Sequence, residues 1–220
     1  MTQELWTAVD EYSNALLVGA DPALDAARER SQQSGLPDIA VSPSQGKFLS
    51  LLARIHGAKK ILEFGALGGY STIWLARALP ADGRLITLEA DPKHADVAKA
   101  NIASAGFEKL VDVRVGKALD TLPKIDAEGP FDFVFIDADK ANIPAYFTWT
   151  LEHSHPGSVI VVDNVVRDGR VIEAESTDPS IQGIRRFNEM LAKEPRVSAT
   201  TIQTVGSKGY DGFTLAVVNA

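Results

Sequence analysis

Ile61 to Thr72 reads ILEFGALGGYST, an apolar strand that breaks into Gly65-Ala66-Leu67-Gly68-Gly69 and opens directly into a helical pattern. A glycine turn between a strand and a helix lets backbone approach a ligand closely and aims free N–H groups at it. Outward from this turn the same alternation repeats. Strand KILEF begins at Lys60, and helix STIWLARAL, strand RLITLE, a helix from Pro92 to Ala105, strand VDVRV, a helix near Leu119 and strand FDFVFI follow. Strands alternating with helices imply right-handed crossovers and a parallel sheet. Pro156-Gly157 reads as a second glycine turn opening strand SVIVVD, after which SIQGIRRFNEMLAK reads as a helix. VSATTIQTV and GFTLAVV, separated only by GSKGYDG, leave no room for a helix and should pair as an antiparallel hairpin.

Upstream of the turn, Leu5, Val9, Tyr12, Leu16 and Leu17 recur at helical spacing, and a second helical run follows Asp21-Pro22. Ser42-Pro43 signals the cap and first turn of a third helix, which runs through Phe48, Leu51, Leu52 and Ile55 to Gly57. No repeat or linker divides the chain. The expectation is one α/β domain over 1–220, with N-terminal helices in 1–57 and a Rossmann-like core in 58–220.

With 220 residues and 45% hydrophobic content, the chain can bury one substantial core. Its formal charge is -7, from 29 acidic against 22 basic residues, with no basic run to track phosphates. Nucleic acid and anionic membrane are therefore not expected as partners. No cysteine occurs, which removes disulfides, thiolate nucleophiles and sulfur-bound zinc. The start MTQELWTAVDEYSNALL has no basic segment leading into an apolar one, and no uninterrupted apolar run reaches about 18 residues, so a cytoplasmic protein is expected.

Two carboxylates sharpen the reading of the turn. Glu89 ends the next strand, where Rossmann-type sheets put an acid on ribose hydroxyls, and Glu63 sits two residues before Gly65. Dinucleotide sites use G-x-G-x-x-G around a pyrophosphate, whereas these glycines run G-x-x-G-G beside an acid. That acid would repel pyrophosphate and suit the ammonium and sulfonium of S-adenosylmethionine. An NAD-dependent oxidoreductase is the disfavoured alternative. LEFGALGGYS, FIDADK and VVDNV together resemble the cation-dependent class I S-adenosylmethionine O-methyltransferases, the catechol and caffeoyl-CoA family. The resemblance runs from the SPSQGKFL helix to the terminal hairpin. It implies a seven-stranded, mostly parallel sheet with extra N-terminal helices, and a homodimer to which those helices contribute.

Asp137 ends strand FDFVFI, while Asp163 and Asn164 end SVIVVD, its expected neighbour. Three oxygen donors without sulfur or histidine suit Mg²⁺, with Mn²⁺ or Ca²⁺ as alternatives, and leave coordination positions for both oxygens of a vicinal diol. The resemblance implies that Lys140 is catalytic, with Asp137 beside it, and that Asp139 contacts the cofactor. It further implies that Val41, Gly65, Ala66 and Ser71 meet the cofactor's methionine end, Glu89 its ribose and Ala118 its adenine. The expected reaction is methyl transfer to a small aromatic vicinal diol. A cofactor-binding module without catalysis is a further alternative, against which the intact acidic set and Lys140 argue.

His56, His94, His153 and His155 show no partners at metal spacing and read as surface or turn residues, and Trp6, Trp74 and Trp149 as packing anchors. After VVDNV the chain reads Val166-Arg167-Asp168-Gly169, departing from the Trp-Asn-Gly of caffeoyl-CoA enzymes. The loop GSKGYDG is longer than the family's Gly-Asp-Gly turn, so Tyr210 and Asp211 read either as hairpin-turn residues or as a border of the acceptor site.

Overall fold

A computed structural model describes residues 2–220. Three helices, α1 (Gln3–Leu17), α2 (Pro22–Gln33) and α3 (Pro43–His56), precede β1 (Lys60–Phe64), α4 (Tyr70–Ala76), β2 (Arg84–Glu89), α5 (Pro92–Ser104), β3 (Val111–Val115) and α6 (Ala118–Thr121). The second half holds β4 (Phe131–Ile136), α7 (Ile143–Glu152), β5 (Ser154–Asp163), α8 (Pro179–Leu191), β6 (Val197–Gly206) and β7 (Gly209–Val218). Four helices start on one device: Asp21, Ser42, Asp91 and Asp178 each accept a backbone N–H of the first turn and are followed by proline. The side chain satisfies a donor that the helix cannot, and proline removes another.

The sheet order is β3-β2-β1-β4-β5-β7-β6, parallel except for β7, which runs antiparallel to both neighbours. The order reverses between β1 and β4, and open α/β sheets bind ligands outside the carboxyl ends at such a switch. Alternation along the strands feeds two cores. Leu62, Phe64, Val134, Ile136, Ile160 and Val162 pack against Phe147 of α7 and Ile184 and Phe187 of α8. Ile61, Leu85, Phe133, Phe135 and Val161 face the other way, with Leu24 of α2, Leu49 of α3 and Ile73 of α4 in the same cluster. Being odd-numbered like Phe135 and Val161, Asp137 and Asp163 continue this second face.

Two expected boundaries differ. Pro156-Gly157 does not open β5; the strand starts at Ser154, and its pairing jumps from Phe131↔Ser154 to Phe133↔Val159, with Gly157 at φ 93° taking up the irregularity. The loop GSKGYDG shrinks to a two-residue turn, Ser207-Lys208, because Gly206 pairs with Gly209 and the ladder continues through Tyr210 and Asp211. Both are thus strand residues, not turn residues. His155 is also in β5: its ring nitrogens face Pro156 O at 2.8 Å and Asp132 Oδ1 at 2.9 Å. Hydrogen bonding to Asp132 raises its pKa. His153 lies flat on Trp149, 3.7 Å between centroids. Trp74 is buried as expected, and a side chain on Gly46 would collide with its indole.

Candidate active site

The glycine turn sits where β1 meets β4. Gly65, at φ 92°, donates its N–H to Leu88 O, and Asp137 N donates to Phe64 O at 2.9 Å. A Cβ on Gly65 would enter the van der Waals shell of Asp137's carbonyl, with the carbonyl carbon 3.1 Å away. Glycine is therefore required for close approach as well as for φ. Glu89 braces the far side: its Oε2 accepts Leu67 N at 2.8 Å and its Oε1 accepts Asp91 N at 2.9 Å. Asn101 of α5, buried, donates to Gly68 O at 2.8 Å and to Ala27 O at 3.1 Å, tying the turn to α2.

Glu63 is fully buried on β1. Ser71 donates to its Oε1 at 2.6 Å, and Thr72 and Thr87 both donate to its Oε2. Burial pushes its carboxyl up to about 7 against the pull of these hydroxyls. Its carboxylate is thus turned into the protein, held by hydroxyls of α4 and β2.

At the carboxyl edge, Ile136 pairs with Val162, so Asp137 and Asp163 follow one another on adjacent strands. Asp137 Oδ1 accepts Lys140 Nζ at 2.7 Å. Asp163, 4% exposed, accepts Gln45 Nε2 of α3 at 2.6 Å on Oδ2 and Asn164 N at 2.8 Å on Oδ1. Burial, and secondly the charge of Asp137, push Asp163 up to about 7. Asn164 is left-handed, at φ 56°. Among the described residues no three Asp, Glu, His or Cys side chains converge at metal spacing. Two clustered acids with a single lysine beside them fit a hard divalent cation.

Comparison with known proteins decides the family. A family profile described as O-methyltransferase matches residues 14–218. The chain belongs to the O-methyltransferase family. It is 54% identical to a catechol O-methyltransferase of Niastella koreensis, over 99% of this chain and all of that protein. An O-methyltransferase from Bacillus cereus, crystallised in complex with SAH, superposes with a TM-score of 0.98 at 58% identity, covering 99% of this chain and 100% of the other. TomG from Streptomyces achromogenes, an O-methyltransferase involved in tomaymycin synthesis and solved with SAM, matches at 55% identity and TM-score 0.97, each chain covered in full. The sheet and its terminal hairpin agree with the class I methyltransferase fold that the resemblance implied. Among the described residues no helix is long and apolar enough to cross a membrane.

Val41, buried, immediately precedes the Ser42 cap of α3, and Ala66, buried, lies in the turn. Ala118 opens α6 after β3 and packs partly against the α7/α8 core. Asp139 is exposed; its Oδ2 accepts Asn142 Nδ2 at 2.6 Å and its Oδ1 accepts the Tyr146 hydroxyl, whose pKa rises through burial and this carboxylate. Asp211 Oδ1 accepts Val166 N and Arg167 N at 3.0 and 2.9 Å, so it fixes the loop after β5.

Several supporting residues escaped the sequence reading. Thr87 interrupts the apolar run Leu85–Leu88 of β2, and Asn101 interrupts the buried face formed by Ala98 and Ile102, which are detectable signals. Gln45 had none, since its partner lies 118 residues away. Gly183 of α8 was equally silent: a Cβ there would overlap Lys140 O and come within 2.7 Å of Ala141 Cα.

Proposed function

We propose that this O-methyltransferase uses S-adenosylmethionine to methylate one hydroxyl of a small aromatic vicinal diol, with a divalent cation, Mg²⁺ foremost, at Asp137, Asp163 and Asn164. The observation that carries this reading is the pairing of Asp137 and buried Asp163 on neighbouring strand ends, beside a glycine turn and with Lys140 as their charged companion. When bound, the cation supplies Lewis acidity that favours the ionised form of the acceptor. Val41, Gly65, Ala66 and Ser71 hold the methionine end, with Glu63 acting through Ser71 and Thr72. Glu89 takes the ribose hydroxyls, Ala118 borders the adenine and Asp139 contacts the cofactor. Lys140 donates to Asp137 as an ammonium here; as the free amine, once a cation takes up Asp137, it would take or hold the acceptor's hydroxyl proton, and the freed oxygen attacks the methyl carbon as the sulfur leaves.

The test is methyl transfer to catechols and monophenols with Mg²⁺ or EDTA, read by mass spectrometry. Transfer confined to catechols and lost in EDTA is expected; transfer that survives EDTA would sink the cation. Tight NADH binding without S-adenosylmethionine binding would favour the oxidoreductase alternative, and cofactor binding without transfer to any acceptor the non-catalytic one.

A homodimer belongs to the same proposal. Helix α1 buries no residue of its own, and its Leu5, Val9, Tyr12 and Leu16 are 51–70% exposed along one stripe. An apolar stripe of that kind marks an association surface. Light scattering at micromolar concentration is expected to give twice the chain mass, and a monomer alone would remove this part.

A further inference from the structure

The loop after β5 carries a charge that the fold does not use. Asn164, Arg167 and Asp168 have φ of 56°, 55° and 54°, a region that residues with a Cβ rarely adopt. The conformation is imposed from outside. Asp211 accepts two of the loop's amides, and Asp168 N donates to Tyr210 O at 3.1 Å. Asp211 is therefore spent on backbone. Arg167 is a half-buried residue whose guanidinium has no hydrogen bond, ion pair or aromatic partner among the described residues, whereas Arg77, Arg84, Arg114, Arg170 and Arg196 all pair with carboxylates. An unpartnered cation on a half-buried residue held in an enforced backbone conformation calls for an anion from outside the chain.

Its position says which anion. Arg167 follows Asn164 by three residues, a span of at most about 11 Å, so its side chain is within reach of a ring bound at Asp137, Asp163 and Asn164. We propose that Arg167 selects acceptors bearing a carboxylate on the aromatic ring, bound by its guanidinium in the paired geometry such groups favour. This rests on the acceptor reading above and narrows it from catechols to catechol acids.

The test compares 3,4-dihydroxybenzoate with its neutral methyl ester, as kcat/KM and as equilibrium binding in the presence of S-adenosylhomocysteine and Mg²⁺. Arg167→Asn is the chosen variant because asparagine tolerates the left-handed conformation, and Arg167→Lys restores the charge. The parent should favour the acid roughly tenfold or more. Arg167→Asn should lose about that factor on the acid, mainly through KM, while the ester changes less than about twofold, and Arg167→Lys should recover part of the loss. Equal losses on both acceptors, or none on the acid, would overturn the assignment. If neither acceptor is methylated, binding decides. Acid binding that depends on Arg167 sustains this inference while the methyl-transfer reading falls, and binding that ignores Arg167, or no binding, ends it.

Discussion

Asp163→Ala is expected to lower kcat/KM for a catechol by about 10³-fold at saturating Mg²⁺, the scale of removing a group that supports transition-state charge. The same change orphans the Gln45 amide and opens a hole at a buried position, so a loss of fold could imitate a loss of chemistry. Asp163→Asn separates the two. It keeps the volume and removes the charge, and the NH2 it puts in place of one accepting oxygen can be met by a flipped Gln45 amide, so it should be comparably inactive while remaining folded. The pH dependence of stability gives a further check. Asp163 and Glu63 are both pushed up to about 7 in the fold, above their ordinary carboxylate values. The native protein therefore holds protons that the unfolded chain has released, and metal-free stability falls as pH rises from about 4 through 7. Asp163→Asn should flatten that fall, leaving the share due to Glu63. Urea unfolding at pH 5 and pH 8 reads the slope, and Mg²⁺ should restore stability to the parent at pH 8 but not to the variant. Parent-like turnover in either variant would remove Asp163 from the site.

Gly183→Ala should be the most damaging small substitution outside the cleft. Its methyl group would meet backbone atoms of Lys140 and Ala141, with the Lys140 carbonyl carbon 2.9 Å away, and backbone cannot rotate aside as a side chain can. Overpacking of this kind costs about 1–3 kcal/mol, more than the roughly 1 kcal/mol that alanine returns as a helix former. Arg186 also donates to Ala141 O from the same helix, at 3.3 Å, so displacing α8 shifts the turn that carries Lys140. A melting temperature lower by several degrees is expected, together with a kcat reduced about tenfold or more and little change in S-adenosylhomocysteine affinity. A variant as active and as stable as the parent would show that α8 does not position the lysine.

The elements that carry their own local signals were legible in the sequence. Asp21-Pro22, Ser42-Pro43 and the strand-glycine-helix run of β1 and α4 needed no partner to be recognised. Two boundaries were misread where local chemistry and the ladder disagree. Gly157 and the glycines of GSKGYDG suggested breaks, yet β5 pairs with β4 on both sides of Gly157, at Ser154 and Val159, and the hairpin ladder runs on through Tyr210 and Asp211. Within the site, Asp137, Asp163 and Glu63 could be named from strand ends, but not the direction each faces. Glu63 was expected to meet a ligand and meets three hydroxyls instead, two from α4 and one from β2, an arrangement set by tertiary packing.

The contact between Gly65 and the Asp137 carbonyl reaches beyond this one chain. In the proposed site the turn would serve the cofactor and the aspartate the cation, and the two meet with no room for even a methyl group. Sequence drift on either side can reshape pockets and change acceptors, but a side chain at this seam would wedge the halves apart. Descendants of such a protein are free to trade substrates long before they are free to trade that glycine.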